Sequence, residues 1–352
     1  MYPRLIVDTD KIKKNVEAIS NKAERIGLAL SGVTKSFAAR EELVQAYIDG
    51  GVKYLADSRI INLKRLEKFD LPKMLLRLPM ISEVEDVVRY ADISLNSELD
   101  TIAALSDAAV KSNKEHSIIL MVDLGDLREG YYEVEDLYND IEKMKNFENI
   151  NIVGIGTNFT CYGGVIPNAR LHRKQIEIAN KIKERFNIDL EIISGGNTSS
   201  VHLLDSQGLE GINNLRVGES LLFGTDSAYG GRFEDTYNDC FTLEVEIIEM
   251  KDKPSVPTEE IGRDAFGQVP TFEDRGIRKR MIGAIGKQDV DFETLYPYDS
   301  GLIILGGSSD HIIIDASDSK VDYRIGDKIK FNIHYVSLLR LMNSEYVSKT
   351  IL

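Results

Sequence analysis

The stretch "IGLALSGVTKSFAAREEL", residues 26–43, joins a short apolar segment to a helical pattern and indicates the fold of the chain. The apolar segment runs from Leu28 to Val33, and helical spacing begins near Ala38. Such a strand followed at once by a helix is typical of a β/α unit. Between them stands Lys35. The ordinary explanation of such a lysine is an ammonium group in water with its stem packed on the protein. The alternative is a desolvated amine at the mouth of a barrel, able to form a Schiff base.

The same alternation of apolar strand and amphipathic helix recurs along the first two thirds of the chain. After a first strand at Leu5-Val7, we predict strands at Leu28-Val33, Tyr54-Ala56, Met74-Leu78, Ile93-Leu95, Ile118-Val122, Ile152-Thr157, Leu190-Ile193 and Leu215-Val217. About eight such strands are what a closed (β/α)8 barrel requires. An open doubly wound sheet fits less well, because no Gly-rich dinucleotide turn follows the first strand.

Polar residues lie at or just after the ends of these strands. They are Thr34-Lys35, Asp57-Ser58, Arg77, Asn96-Ser97, Asp123 with Arg128, Asn158, residues 194–197 and Arg216-Gly218. Because the carboxyl ends of barrel strands lie on one face, we expect these groups to meet on one rim. Barrel enzymes carry their chemistry on that rim.

The pattern changes after about Cys240. Alternating apolar runs such as "FTLEVEIIEM" and "KIKFNIHYV" predict a smaller, mainly β domain. The fold class is therefore α/β, with an N-terminal (β/α)8 TIM-like barrel over residues 8–238. The C-terminal β domain covers residues 239–352 together with residues 1–7.

The composition excludes several classes of partner. The 352 residues carry a formal net charge of −14, whereas nucleic-acid binders display a basic face. The sequence contains no Lys/Arg cluster of the kind that binds anionic membranes. It also contains no run of about 20 apolar residues, which a membrane-spanning helix needs. The N terminus lacks a secretory signal pattern. Cys161 and Cys240 are too few for a disulfide framework or a multi-cysteine zinc site. We expect a cytoplasmic protein without a bound metal.

Two segments near the end of the barrel are suited to a phosphate. If Lys35 holds an aldehyde cofactor that carries a phosphate, "GGNTSS" and "RVGES" would supply the donors for it. Glycines let the backbone approach, and Thr198 and Ser199 add hydroxyls. The alternative is an ordinary strand-to-helix turn with a Ser/Thr cap. Barrels commonly bind phosphate at these two neighbouring strands, which favours the functional interpretation.

Two arginines bear on the reaction. Arg216, at a strand end, would by default pair with a carboxylate. Against a pyridine nitrogen it would keep that nitrogen unprotonated, which suits proton abstraction and return better than cleavage of a bond to carbon. Arg128 is a candidate clamp for a substrate carboxylate. Its alternative is a surface arginine paired with Asp126 or Glu129.

Together these motifs resemble the alanine racemase family of pyridoxal 5'-phosphate (PLP) enzymes, most closely its ornithine or alanine/ornithine racemase branch. They are Lys35 at a strand end, "VDLGDLREG", "GTNF", "NTSS", "LRVGESLLFG", "GGSSDHIIIDASD" and "FNIHYVSLLRL". The resemblance spans nearly the whole chain. It implies a PLP-binding barrel, a C-terminal β domain and a head-to-tail homodimer with two shared active sites.

The resemblance also implies roles for individual residues. Lys35 would be the Schiff-base lysine and one of two acid/base groups. Arg128 would neutralise the substrate carboxylate, Arg216 would face the pyridine nitrogen, Asn158 would take the place of a histidine beneath the ring, and Thr198, the backbone at Gly218 and Glu219, and Tyr335 would hold the phosphate. The alternative for Tyr335 is a core tyrosine with its hydroxyl at the edge.

The sequence departs from the family at the second base. The family takes a tyrosine from the partner subunit, whereas the nearest match here, "EIGRDAFG", offers Arg263 and Asp264. A second departure is Ala39, where the family carries a tyrosine four residues after the lysine. Asp264 would serve as the base if desolvation raised its pKa. Its alternative is a loop residue that caps a turn.

The implied function is interconversion of L- and D-amino acids, with ornithine as the best candidate and alanine, serine or lysine as alternatives. Ser309 and Asp310 in "GGSSDH" fall in a region that resembles the cross-subunit substrate lip. Asp310 would pair with a distal ammonium such as that of ornithine. The alternative is a turn aspartate.

Four other functions compete with a racemase. A non-catalytic PLP-binding homeostasis protein resembles the barrel alone, so the C-terminal domain counts against it. A basic amino-acid decarboxylase places an acid against the ring nitrogen, so Arg216 counts against that function. A D-amino-acid dehydratase or aldolase would need a His-x-Cys metal pair near the C terminus, and the last cysteine is Cys240. A purely structural barrel would not gather polar groups on one rim.

Overall fold

The computed structural model describes residues 1–264 and 266–352 and divides into two compact units. One unit contains Met1–Asp8 and Asp239–Leu352, and the other contains Thr9–Asn238. Strand β1 (Arg4–Val7) opens the first of these units. The second unit, here called the barrel unit, carries the polar rim predicted from the sequence.

The barrel unit is built on eight strands that close into a parallel barrel in sequence order. The strands are β2 (Ala29–Val33), β3 (Tyr54–Asp57), β4 (Lys73–Leu75), β5 (Ile93–Asn96), β6 (His116–Met121), β7 (Ile150–Gly156), β8 (Ile192–Asn197) and β9 (Asn214–Val217). The register pairs Ser31 of β2 with both Tyr54 of β3 and Arg216 of β9, which closes the ring. The predicted (β/α)8 barrel is confirmed.

Helices connect the barrel strands. They are α1 (Thr9–Arg25), α2 (Glu41–Asp49), α3 (Ile60–Leu66), α4 (Val84–Tyr90), α5 (Leu99–Ser112), α6 (Val134–Met144), α7 (Ala169–Phe186) and α8 (Glu219–Phe223). Single 3-10 turns lie at Lys35–Phe37 and Ile81–Glu83, and a longer 3-10 helix at Thr198–Leu203. In α1 the apolar positions Ile12, Val16 and Ile19 repeat at helical spacing and are buried, so this face packs on the core.

The barrel interior is apolar below the rim. Val33, Met74, Leu95 and Met121 belong to one buried cluster. Gly156, the last residue of β7, lies where this apolar cluster meets the rim, and its lack of a side chain is required there. A Cβ at Gly156 would lie 2.8 Å from Met121 Sδ and 3.6 Å from Arg216 Nη1. A larger residue would therefore push on the layer where the apolar core meets the first polar groups.

The seventh barrel strand lies further along the chain than we predicted. The prediction placed it at residues 190–193, with residues 194–197 as the polar residues that follow it, whereas β8 covers Ile192–Asn197. The residues predicted to follow the strand thus form its second part. The pairing of β8 with β9 shifts register between Ser194 and Asn197, and Gly196 has a φ of 115°. The glycines allow this irregular strand end, which from sequence resembles a turn.

The other unit is mainly antiparallel. Its remaining strands are β10 (Phe241–Pro254), β11 (Ile277–Gly283), β12 (Leu295–Pro297), β13 (Ile303–Gly307), β14 (Ile312–Asp315), β15 (Lys328–Ile333) and β16 (Ser348–Ile351), and it contains helix α9 (Tyr335–Asn343) and a 3-10 turn at Phe292–Thr294. The sheet runs β12-β15-β10-β11-β14-β13, and β1 pairs with both β10 and β16. The predicted mainly β domain is confirmed. Among the described helices, none is long and apolar enough to cross a membrane.

Candidate active site

Lys35 is the first residue of the 3-10 turn that follows β2. Its side chain is exposed, and it forms no hydrogen bond or ion pair with any residue that the structure describes. The turn ends in two consecutive residues of left-handed conformation, Ala38 (φ 52°) and Ala39 (φ 51°). The tight backbone at this point holds Lys35 at the carboxyl end of the barrel.

Thr34 fixes the start of this turn to the next strand. Its backbone N–H donates to Ala56 O at 2.8 Å, and its hydroxyl donates to Asp57 Oδ2 at 2.6 Å. Asp57 is fully buried and also accepts bonds from Asn62 Nδ2 and the backbone N–H of Arg59. Burial raises the pKa of the Asp57 carboxyl, against these donors. The residue before the lysine is thus anchored to a buried carboxyl group.

Arg216 is the buried cation of the rim, with 3% of its surface exposed. Its Nη1 donates to Ser194 Oγ, and its Nη2 donates to Thr157 O at 2.6 Å and to Asn158 Oδ1 at 3.0 Å. Within the described chain it has no carboxylate at ion-pair distance, so the default salt bridge considered from sequence is not formed. Burial lowers the pKa of Arg216 to about 10.

Asn158 connects Arg216 to a second arginine through Glu129. Its Nδ2 donates to Glu129 Oε1, while its Oδ1 accepts from Arg216. Glu129 also accepts from Arg128, at Oε2 from Nε and at Oε1 from Nη2 (2.5 Å). The pairing of Arg128 with Glu129 is the alternative considered from sequence. Asp126 instead accepts backbone N–H bonds from Tyr162 and Val165.

Thr198 and Gly218 lie together at the ends of β8 and β9. Thr198 Oγ1 accepts the backbone N–H of Gly218 at 3.1 Å. Ser199 has a different environment: its N–H and its hydroxyl both donate to Asn197 Oδ1, at 3.0 and 2.7 Å. Asn197 caps the 3-10 helix in this way and donates to Phe159 O at 2.8 Å. One hydroxyl of the pair therefore faces the neighbouring strand end, and the other serves the cap.

Glu219 begins α8 directly after Gly218. Burial raises the pKa of its carboxyl, and the Thr225 hydroxyl donates to Glu219 Oε1 at 3.4 Å. The barrel mouth thus combines an exposed amine, a buried guanidinium and a strand-end turn with a hydroxyl and backbone N–H groups. An amine reacts with an aldehyde, and the other groups are suited to anions and ring nitrogens.

Comparison with known proteins shows the family of this chain. Residues 7–226 match the model described as "Alanine racemase, N-terminal domain". The chain belongs to the alanine racemase family. It is 52% identical to the ornithine racemase of Acetoanaerobium sticklandii, covering 100% of both chains, and 38% identical to the lysine racemase of Thermotoga maritima, covering 99% of this chain and 98% of that one.

A solved alanine racemase from Clostridium difficile 630 has the same fold. Its TM-score is 0.72 at 18% identity, and the match covers 100% of this chain and 96% of that one. The predicted resemblance to the alanine racemase family and its ornithine racemase branch is confirmed. So is the predicted class of enzyme, an amino-acid racemase.

Four predicted site residues, Tyr335, Ser309, Asp310 and Asp264, lie in the mainly β unit. Tyr335 is the first residue of α9 and is half-buried. Ser309 and Asp310 are exposed, and the Ser309 hydroxyl donates to Asp310 Oδ2 at 2.6 Å. Asp264 is exposed, and its Oδ1 accepts the N–H groups of Phe266 and Gln268 at 2.8 and 2.9 Å.

The pKa of Asp264 is shifted in the direction opposite to the one that the predicted role as second base would need. The backbone N–H groups of Gln268 and Phe266 stabilise its charged form and lower its pKa. A base on the second face needed a raised pKa. In this chain Asp264 has the turn-capping geometry that we gave as its alternative.

Glu129 and Asp57 are acidic groups of the barrel mouth to which sequence reasoning gave no role of their own. Glu129 was named only as an alternative partner of Arg128, and Asp57 only as one polar strand end among several. The signal for Asp57 is its position after a buried strand. Among the described residues, no group of three His, Cys, Asp or Glu side chains is placed to hold a metal ion.

Proposed function

We propose that this chain is a PLP-dependent racemase that interconverts L- and D-ornithine. The observation that carries the proposal is the buried guanidinium of Arg216, held by three neutral oxygens and paired with no carboxylate of the described chain. A guanidinium opposite the pyridine nitrogen keeps that nitrogen unprotonated, which weakens the ring as an electron sink. Such a site favours removal and return of a proton over cleavage of a bond to carbon.

The residues of the barrel mouth fit the cofactor. PLP has an aldehyde, a ring nitrogen and a phosphate. Lys35 offers an amine for the aldehyde, and Arg216 offers a cation for the ring nitrogen. The neighbouring strand ends at Thr198 and Gly218 offer donors for the phosphate. When bound, PLP would supply the electron withdrawal that acidifies the α-proton of an amino acid. Only the two Nη atoms of Arg216 have partners within the described chain, so its Nε is the group we assign to the ring nitrogen.

Further residues complete the proposed cofactor site. Asn158 would lie beneath the ring, in the orientation set by Arg216. The backbone at Gly218 and Glu219 and the hydroxyl of Tyr335 would hold the phosphate with Thr198. For Ser199 the bonds to Asn197 support a contribution through the shape of the capped turn.

Racemisation requires proton transfer on both faces of the α-carbon. Lys35, once displaced from the cofactor by the substrate, would move the proton on one face. For the other face we propose Asp264 of the partner subunit in a head-to-tail homodimer. To act there, its carboxylate must leave the N–H groups of Phe266 and Gln268 and be desolvated, which raises its pKa.

Substrate contacts follow from charge. Arg128 would bind the α-carboxylate of the substrate, with which a guanidinium forms two parallel hydrogen bonds. Ser309 and Asp310 would receive the distal ammonium of ornithine. The 52% identity to an ornithine racemase over the full length supports this substrate above lysine, alanine or serine. We further propose a cytoplasmic location, a small amino acid as partner, and no nucleic-acid, membrane or metal partner.

A racemisation assay on four amino acids tests this function. The purified chain with PLP is incubated separately with L-ornithine, L-lysine, L-alanine and L-serine, and the products are separated by chiral chromatography. We expect the D-isomer to form fastest from ornithine, and Lys35→Ala to lose both the activity and the absorbance of bound cofactor. Cofactor binding without racemisation of any of the four would favour a PLP carrier.

A further inference from the structure

Glu129 has a position in the barrel mouth that the proposed roles do not explain. Its side chain is 14% exposed and follows Arg128 in the loop after β6. Oε2 accepts from Arg128 Nε, and Oε1 accepts from Arg128 Nη2 and from Asn158 Nδ2. Both carboxylate oxygens therefore bind groups that the proposed function assigns to substrate or cofactor.

The contact with Asn158 sets the direction of an amide. A carboxylate accepts hydrogen bonds only, so it selects the Nδ2 end of Asn158. The Oδ1 end then faces Arg216 Nη2 at 3.0 Å, where an acceptor is required. A reversed amide would place its NH2 group against a guanidinium, with two donors facing each other.

Glu129 also compensates for charge. Arg128 and Arg216 are two cations of one site, and the pKa of Arg216 reflects both neighbours. Burial lowers that pKa most, the negative charge of Glu129 acts against the lowering, and the positive charge of Arg128 adds to it. Glu129 thus stabilises the charged form of a buried arginine that it reaches through Asn158.

We propose that Glu129 is a positioning residue of the racemase, resting on the function proposed above. It holds Arg128 ready for the substrate carboxylate and fixes Asn158 so that Arg216 stays aligned with the cofactor ring. The simpler explanation is an ion pair between chain neighbours, which contributes little at a protein surface. The low exposure of Glu129 and its bond to Asn158 distinguish it from such a pair.

Glu129→Gln tests this proposal by removing the charge at nearly constant shape. The matched control is Glu133→Gln, the same change four positions later, at an exposed residue whose side chain makes no capping bond to α6. For each protein with PLP bound we would titrate the cofactor absorbance against pH and measure kcat and KM for ornithine. Thermal unfolding would verify that each variant is folded.

For Glu129→Gln we expect kcat to fall about tenfold or more and KM for ornithine to rise, since Arg128 keeps its charge but is no longer held in place for the substrate carboxylate. We also expect the pH midpoint of the cofactor absorbance to fall by about half a unit or more, because the site has lost a negative charge. Glu133→Gln should match the unsubstituted protein in kcat and in the pH midpoint of the cofactor absorbance. A pair that merely stabilises the loop would not move the cofactor titration.

Two results would overturn the proposal. One is a Glu129→Gln protein with unchanged kcat and unchanged cofactor titration. The other is an equal shift in Glu133→Gln, which would show a general charge effect. If Glu129→Gln does not fold, Glu129→Asp carries the test: its shorter side chain keeps the charge but cannot span Arg128 and Asn158 together, so wild-type kcat would contradict the role. Absence of PLP binding or racemisation in the unsubstituted protein would refute the proposed function itself.

Discussion

Asn158 Oδ1, just after β7, accepts a hydrogen bond at 3.0 Å from Nη2 of Arg216 in β9, and strand β8 lies between these two strands in the barrel. Each side chain is buried, and the acceptors of Arg216 among the described residues are all neutral. A guanidinium in such a place keeps two or more donors fixed before any ligand arrives. In our proposal this preorganised charge determines which reaction the cofactor can support.

Replacement of Arg216 tests whether its charge decides which reaction the cofactor supports. Arg216→Gln removes the cation and leaves a shorter amide among Ser194, Thr157 and Asn158. We expect kcat for ornithine racemisation to fall about a hundredfold or more, as for other preorganised electrostatic groups. The absorbance of bound PLP should change as well, because the ring nitrogen loses its cationic neighbour. Wild-type racemisation by a folded Arg216→Gln protein would contradict the role.

The two neighbouring hydroxyls at the end of β8 provide a matched pair of variants. Thr198 faces Gly218, whereas Ser199 is bonded to Asn197. We expect Thr198→Ala to weaken PLP binding about tenfold, by loss of a phosphate donor and of its bond to Gly218. Ser199→Ala should lower the melting temperature through the cap and change PLP affinity less. Equal losses of affinity in the two variants would argue against this assignment; equilibrium dialysis with PLP measures them.

Asp57 predicts a dependence of stability on pH. Burial raises its pKa in the folded protein above the unfolded value, so the folded state retains the proton over that interval. The contribution of Asp57 to stability therefore falls as pH rises upward from about 4. Asp57→Asn lacks this titration, and its melting temperature relative to wild type should increase with pH. A constant difference from pH 4 to about 7 would contradict the assignment.

For His116 we expect the opposite dependence, a stability that rises with pH. It is buried near the start of β6, its Nε2 lies 2.8 Å from Ser94 Oγ, and burial lowers its pKa to about 4. The neutral form stabilises the fold fully above the unfolded pKa of about 6.5, and this stability is lost as pH falls toward 4. The loss is about 3 kcal/mol at most. In His116→Asn the melting temperature should fall less between about pH 6.5 and about pH 4 than in wild type. An equal fall in both proteins would refute this.

Strand spacing and strand-end residues were sufficient to predict the barrel. Apolar runs followed by Lys35, Asp57, Asn158 and Arg216 indicated parallel strands whose carboxyl ends share one face. The bounds of β8 were wrong because two glycines resemble a turn, and only the pairing with β9 shows that they extend a strand. Hydrogen bonding between distant strands decides such a boundary, and no local pattern records it.

The partners of individual site residues were harder to predict. Glu129 follows Arg128 directly, and adjacent opposite charges in a sequence ordinarily indicate a solvated pair. Its contact with Asn158, 29 positions later, depends on two loops meeting above the barrel. The buried pairing of Thr34 with Asp57 is of the same kind. Composition and spacing locate such residues on the rim, but the three-dimensional register selects their partners.

Proton exchange at the α-carbon of ornithine is the sharpest test of the proposed ornithine racemase activity. The unsubstituted chain with PLP is incubated with L-ornithine in D2O, and deuterium incorporation is followed by NMR while chiral chromatography follows the D-isomer. We expect deuterium to enter the α-position and D-ornithine to appear, with both lost in Lys35→Ala. Bound cofactor with neither exchange nor D-isomer from ornithine would contradict it.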